Sequence, residues 1–423
     1  MIGFSRKKTH VLTGLEIGTA SVKVVIGELL PDDALVIRGV GETGSLRRVC
    51  KGEIADARLI KDQVQIALGM AEKHAGVEIG HLFLAVSGGH IRSETSLGQT
   101  MIGGAERAIE EEDVIHAASN ARAYTLPSDK KILHFLDRRY VVDDMREVSK
   151  PIGLVGSKLE TDVLVVFGQH NRIETSCRLV EDILGYPPTD VAYSAVAAAM
   201  AALSPDDTDN GVLLLDIGAG ITEYVVCTNS GWYHSGQITV GCEHLVNDLA
   251  IGLRLSEQKC RHMLKELESI GAASMMTPDA RRRVLEVAAP NGATREIPVS
   301  TVEKIIELRL QELFECIRND LRRQQLLERI GTGVRICGGG ALLPRIDQLA
   351  RHVFSMPVHR ARPRLVSGDQ SIVQSPRFMA PLGLIRWGKM MMDIDAQGHV
   401  PFFEQLQMDT RQIGLAIRRA FRW

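Results

Sequence analysis

Aromatic side chains are scarce, 4% of 423 residues, which leaves too few for the stacking platforms that hold single-stranded nucleic acid. Net charge is nearly absent as well. With 50 Lys+Arg against 52 Asp+Glu the formal charge is -2, so no global attraction to nucleic acid or to an anionic membrane is expected, and any such affinity must be local. Long apolar runs are missing too. The longest uncharged apolar-rich stretch, residues 191–203, is too short to span a bilayer, which excludes a membrane-spanning chain. The cysteines Cys50, Cys177, Cys227, Cys242, Cys260, Cys316 and Cys337 are odd in number and scattered, with no CxxC pair and no Cys/His spacing suited to zinc. They read as buried, reduced thiols of a reducing compartment. A basic start, Arg6-Lys7-Lys8, is followed by an apolar stretch that Glu16 and Lys23 interrupt, so the N-terminus reads as mature and cytosolic rather than as a signal peptide.

What is present is ample apolar content, 45%, and a length that predicts two or three domains. Strand-like runs at 11–15, 22–26, 82–86, 163–167, 212–215 and 334–337 alternate with helical patterns at 56–74, 173–184, 192–203, 243–250, 302–327 and 343–354. The pattern predicts an α/β architecture. Residues 92–159 depart from it: an acidic run at 110–113 opens a helix to Ala123, and 131–142 predicts one or two strands, as in an inserted subdomain. Residues 271–298 read as a loop with short elements, and 389–400 as a linker.

The chain repeats one device. Leu15-Glu16-Ile17-Gly18-Thr19-Ala20-Ser21-Val22 matches Leu215-Asp216-Ile217-Gly218-Ala219-Gly220-Ile221-Thr222 in its order of strand, acid, Ile, Gly and small residues. Each predicts a hairpin whose tight turn directs successive backbone N–H groups at one oxyanion. Two such turns can face each other across a cleft. Glu16 and Asp216, ending the first strand of each hairpin, would hold the hydration shell of a Mg²⁺ that bridges phosphate oxygens, although a lone acid beside a glycine turn is usually structural. A third segment, Val334-Arg335-Ile336-Cys337-Gly338-Gly339-Gly340-Ala341, runs a strand into glycines and a helical pattern, which suits phosphates or the face of a base and ribose, or equally a plain tight turn. Gly39-Val40-Gly41-Glu42-Thr43-Gly44 is a literal GxGxxG, but it is not the first strand-to-helix turn and the basic segment behind it is a poor helix start. It reads as loop glycines.

These motifs resemble the phosphate and adenosine motifs of the actin, heat-shock chaperone and sugar-kinase ATPases. Within that superfamily the chain is most similar to the bacterial cell-division family FtsA, on Gly14-Leu15-Glu16-Ile17-Gly18-Thr19-Ala20, Leu84-Ala85-Val86-Ser87-Gly88-Gly89-His90, Pro151-Ile152-Gly153-Leu154-Val155-Gly156, the Gly338 to Ala341 turn and Pro381-Leu382-Gly383-Leu384. The resemblance implies an actin-like fold, two duplicated α/β lobes around a nucleotide cleft with a small α+β insertion. Its subdomains would be 1A (1–81, 166–204 and 360–388), 1C (82–165), 2A (205–242 and 328–359) and 2B (243–327). It implies ATP with Mg²⁺, held by Gly18, Thr19, Ala20, Ser21 and Lys23, by Gly218, Ala219, Gly220, Ile221 and Thr222, by Lys259 and His262, and by Gly338, Gly339, Gly340 and Ala341. Asp216 and Glu16 would be the catalytic acids and would hold the metal through water. Ile221 stands before Thr222 where a hydroxyl is common, and Glu223 replaces the usual aspartate, so at most weak ATPase activity is expected. The family's implied partners are the tail peptide of FtsZ, met by Arg309, a second copy of the chain in a filament, the anionic membrane, and other division proteins through 1C. The implied place is the cytoplasmic face of the inner membrane at the division site.

Residues 401–423, PFFEQLQMDTRQIGLAIRRAFRW, if helical, put Leu406, Ile413, Ala416, Ile417, Ala420 and Phe421 on one face at i, i+3, i+4, i+7 spacing. Arg411, Arg418, Arg419 and Arg422 fill the rest of the final turns, and Trp423 suits a headgroup boundary. The pattern predicts an interfacial amphipathic helix; an ordinary terminal helix docked on the body is the competing reading. Two further functions belong to the same superfamily. A small-molecule kinase would need a catalytic carboxylate beyond Glu16, Asp216 and Glu223, and a chaperone or pilus-assembly relative would bind a peptide without taking part in division, the terminal helix being the discriminator.

Overall fold

Strand Ser21–Leu29 is buried along nearly its whole length, which a strand achieves only when both faces are covered. In the computed structural model, which describes residues 10–30, 32–45, 47–103, 107–144, 146–273, 284–288 and 294–395, helix Ala57–Ala75 covers one face and helix Met379–Asp395 the other. His10–Ile17, Ser21–Leu29 and Leu35–Gly44 form an antiparallel meander, and Leu82–Val86 and Asp190–Tyr193 extend the sheet in parallel from the first of these strands. The plan then recurs. Val212–Ile217, Thr222–Thr228 and Gly231–Ile238 form a second meander, extended in parallel by Gly333–Cys337 and Val358–Arg360. Even the pairing matches, with Glu16 opposite Lys23 where Asp216 stands opposite Glu223.

The second lobe closes its core with helices Cys242–Leu253, Glu257–Ala273 and Val299–Arg323. The last buries Val302, Ile306, Leu310, Leu313, Ile317 and Leu321, the three-and-four spacing of a one-sided helix. Between Leu82–Val86 and Asp190–Tyr193 the chain makes its detour, a four-stranded antiparallel sheet in the order Arg92–Met101, Lys158–Gln169, Lys130–Val142, Arg146–Val148. Helix Glu111–Arg122 packs against it. Its N-terminus is held by Asp113, which accepts from the Glu110 amide and pairs with Arg107 at 2.7 Å.

Several expectations change. The glycines of the GxGxxG run lie inside strand Leu35–Gly44, not in a loop. A Cβ on Gly39 or Gly41 would sit 2.3 Å from the carbonyl oxygen of Ala71 or 1.9 Å from that of Ala67, so they are there to let helix Ala57–Ala75 lie directly on the strand. The segment 271–298 does carry a short element of the kind expected, a hairpin of Val284–Ala288 with Thr294–Pro298. Helix Met379–Asp395 runs into the expected linker as far as Asp395, with Lys389 Nζ held 2.9 Å from Asp33. All seven cysteines are free thiols, but Cys50 and Cys316 are exposed and Cys242 is half-buried, leaving four buried as expected. Among the described residues no helix is long and apolar enough to cross a membrane. The expected amphipathic helix 401–423 lies outside the described residues, and with it Leu406, Ile413, Ile417, Arg418, Arg419, Phe421, Arg422 and Trp423.

Candidate functional site

The two repeated hairpins turn in the same way. In the first, the Gly18 amide donates to Ser21 O at 3.0 Å; in the second, the Gly218 amide donates to Ile221 O at 2.9 Å. The turn carbonyls are tied back into the protein. Ser45 Oγ and its amide bond Gly18 O and Ala20 O, while the amides of Cys242 and Glu243, opening a helix, bond Gly218 O and Ala219 O. The turns meet across the gap between the lobes: a Cβ on Gly220 would come within 2.6 Å of Thr19 Oγ1 and 2.9 Å of Lys51 Cα. Together they floor a cavity of about 520 Å³.

The third glycine segment forms another wall. Gly338 has φ +80°, and a Cβ there would lie 2.3 Å from Asp216 Oδ1, so any other residue would be strained and would displace the carboxylate. Its amide donates to Pro376 O at 2.9 Å, which brings Arg377 and Met379 to the cavity rim. The expected helix start is a 3-10 turn, Gly339–Leu342, and the α-helix begins only at Ile346–Phe354.

Three carboxylates stand in this cleft in different states. Glu16 takes Lys23 Nζ on both oxygens at 3.0 Å. Asp216 makes no hydrogen bond or ion pair among the described residues, and burial, with Glu16 nearby, pushes it up to about 7. Glu223 is 3% exposed and is pushed up to about 8, again chiefly by burial. Ser87 Oγ donates to its Oε1 at 2.7 Å, a bond from the first lobe to the second. A cleft that holds uncompensated acid at its floor is poised for a cation or for proton-sharing.

Of the residues predicted for this site, Glu16, Gly18, Thr19, Ala20, Ser21, Lys23, Asp216, Gly218, Ala219, Gly220, Ile221, Gly338 and Gly339 line the cavity. Thr222, Gly340 and Ala341 stand behind the wall: Thr222 Oγ1 donates to Val240 O at 2.8 Å, and Gly340 lies against Ile217. Lys259 and His262 are not on the cavity wall; His262 pairs with Glu266 at 3.3 Å, and Lys265 is the lysine of that helix that lines the cleft. Ser87, Ser194 and Arg377 went unnoticed, although Ser87 stands in the quoted Ser87-Gly88-Gly89 run. Arg309 lies on the second lobe's long helix, where Asp248 holds its Nε at 2.6 Å and Glu312 its Nη1 at 2.5 Å.

Comparison with known proteins agrees with this geometry. The family description "SHS2 domain inserted in FTSA" matches residues 88–167, the detour between the parallel strands, and "Cell division protein FtsA" matches residues 213–383. The chain is similar to the cell division protein FtsA of Pseudomonas aeruginosa, 29% identical over 89% of each chain, and to that of Borreliella burgdorferi, 28% identical over 89% of this chain and 90% of the relative. The Escherichia coli K12 protein of the same name is 26% identical over 90% of both. Among solved structures, a PilM–PilN type IV pilus biogenesis complex aligns with TM-score 0.61 at 16% identity, over 90% of this chain and 98% of that one. MreB5 of Spiroplasma citri bound to AMPPNP aligns with TM-score 0.53 at 14% identity, over 93% and 100%. The duplicated lobes, the cleft and the likeness to these structures make the fold actin-like, and the matched insertion and body place the chain in the FtsA family of cell-division proteins.

Proposed function

We propose that the cleft binds ATP with Mg²⁺, and that the chain is a filament-forming division protein that ties FtsZ filaments to the membrane. The observation that supports the nucleotide most directly is the contact of the two turns, Gly220 against Thr19. Two oxyanion cradles held that close suit a polyphosphate bridging the lobes. The donor set fits as well. Asp216, whose carboxylate makes no ion pair among the described residues and is raised chiefly by burial, suits a hydrated divalent cation, which would supply charge neutralisation for the phosphates. Lys23, at present on Glu16, is close enough to the first turn to share its charge with a phosphate. Lys265 and Gly338–Gly339 would hold the sugar and base end. Burial pushes Glu223 up to about 8 in the ligand-free cleft, which makes it a poor base toward water there and supports weak turnover with binding as the useful event.

The tail carries the membrane half of the proposal. Its arginines contribute about 1 kcal/mol each at an anionic surface, so one helix binds reversibly and a filament of many copies binds firmly. The place of action would be the cytoplasmic face of the inner membrane at the division site. Arg309 is the basic residue offered to the acidic FtsZ tail, which would have to displace Asp248 and Glu312 from it. The inserted sheet would serve a neighbouring copy or other division proteins.

Electron microscopy on an anionic lipid monolayer with Mg-ATP, comparing the full chain with one ending at residue 400, tests both halves. Lipid-bound filaments from the full chain alone are expected. Equal lipid binding by the shortened chain refutes the anchor, and the absence of filaments from either refutes the polymer.

A further inference from the structure

The inserted sheet belongs by covalent connection to the first lobe, since the chain enters it after Leu82–Val86 and leaves it through helix His170–Leu184. Its side chains fasten to the second lobe as well. Glu147, on strand Arg146–Val148, takes both Arg329 guanidinium nitrogens, Nη1 on Oε1 at 3.1 Å and Nη2 on Oε2 at 3.3 Å. Tyr233 donates its hydroxyl to the same Oε1. Both are second-lobe residues, Tyr233 within strand Gly231–Ile238 and Arg329 in the turn that leads into strand Gly333–Cys337. Arg138 of the insertion and Arg329 each lie 5.0 Å from the centre of the Tyr233 ring, so the ring is gripped from both bodies. Backbones touch here too: a Cβ on Gly231 would fall 1.9 Å from Arg138 O. A second attachment lies nearer the cleft, where Ser93 Oγ donates to Ser235 O at 2.8 Å.

The strand so gripped leads back to the phosphate turn. Gly231–Ile238 pairs with Thr222–Thr228, which starts directly after Gly218–Ile221 and carries the cleft residue Glu223. We infer that the insertion is a strap across the two lobes, clasped at Glu147, and that it makes the nucleotide cleft and the exposed face of the insertion report on one another. When the lobes shift about a bound nucleotide, the strap must either move with the second lobe or lose the clasp. A partner docked on the insertion would meet the same constraint from the other side, because coupling between two sites is reciprocal. The clasp is the part able to give. Its rim is polar and opens on a crevice of about 740 Å³ lined by Glu147, Tyr233, Arg329, Asp206 and Asp209, whereas deeper in, Leu136 and Trp232 share one apolar core. This inference rests on the nucleotide reading of the cleft.

The test compares the full chain with Glu147→Gln, which keeps the side-chain shape and removes the charge, and with Tyr233→Phe as a milder second variant. Hydrogen exchange read by mass spectrometry would follow peptides covering 130–148 and 229–238, with and without Mg-AMPPNP, beside a nucleotide titration. In the full chain, AMPPNP should change exchange in both peptides. In Glu147→Gln the change at 130–148 should shrink while that at 229–238 persists, and nucleotide affinity should shift by roughly three- to tenfold. Binding of AMPPNP that leaves 130–148 unaltered in the full chain overturns the strap, as does an unchanged response in both variants. A full chain that binds no AMPPNP overturns the nucleotide reading beneath it.

Discussion

A methyl group on Gly220 is the sharpest probe of the cleft. It would stand 2.6 Å from Thr19 Oγ1 and 2.9 Å from Lys51 Cα and N, all across the gap in the first lobe. Thr19 cannot turn its hydroxyl away without losing the bond it accepts from the Gly52 amide at 2.9 Å. Lys51 presents backbone, which yields less than a side chain. Relief therefore comes from parting the lobes by about 0.8 Å, the step from 2.6 Å to ordinary contact at 3.4 Å. Overpacking of this size costs about 1–3 kcal/mol, and if the closed, nucleotide-holding arrangement bears it, affinity falls about 5- to 150-fold. Calorimetric titration of Gly220→Ala with Mg-AMPPNP reads this directly, with a thermal melt to show that each lobe stays folded. Gly69→Ala is the control: a Cβ there meets nothing within 4 Å, so the helix should gain about 0.5–1 kcal/mol with affinity unchanged. If Gly220→Ala binds within twofold of the parent, the turns do not enclose the ligand and the assignment of the cleft is wrong.

Two further expectations concern the cleft acid and the core. Asp216 and Glu223 have folded values raised to about 7 and 8. The native state thus keeps protons that the unfolded chain releases near pH 4, and each group makes the ligand-free protein less stable as pH rises through the interval between. Denaturation midpoints should fall between pH 5 and pH 8, and Asp216→Asn should flatten the lower part of that decline; an identical slope in the variant would count against the buried acid. Trp387 is 1% exposed, donates Nε1–H to Asp190 Oδ2 at 2.7 Å, and meets His134 edge-on at 4.6 Å between ring centres. Trp387→Phe removes the bond and leaves space, so urea unfolding should show a loss of about 2–4 kcal/mol. A loss below about 1 kcal/mol would mean that the site refills.

The repeated hairpins were legible because their requirements are local. An acid, an isoleucine, a glycine and small residues at fixed spacing specify a strand end and a tight turn wherever they occur, and finding the device twice carries more weight than either copy. The inserted segment was legible for a similar reason, since its acidic helix start and its strands break the rhythm of the lobes. The GxGxxG run misled because a glycine needed for helix-to-strand contact and a glycine needed for a turn look the same in sequence. Gly39 and Gly41 differ from Gly218 only in what approaches them. Lys265 was missed because Lys259, His262 and Lys265 recur three residues apart on one helix, and which turn of it reaches the cleft depends on how that helix packs.

By itself the sequence determined the class of fold, the duplication, the two glycine turns and the pattern of the tail. These rest on short-range rules, the period of apolar residues and the chemistry of turns, that need no partner distant in the chain. Only the tertiary structure decided that Asp216 makes no ion pair among the described residues, that Arg309 is already held by Asp248, 61 positions away, and that Glu147 of the insertion is clasped by Arg329, 182 positions away. Charge pairing at such separations is a product of how the sheets stack, and no local pattern encodes it.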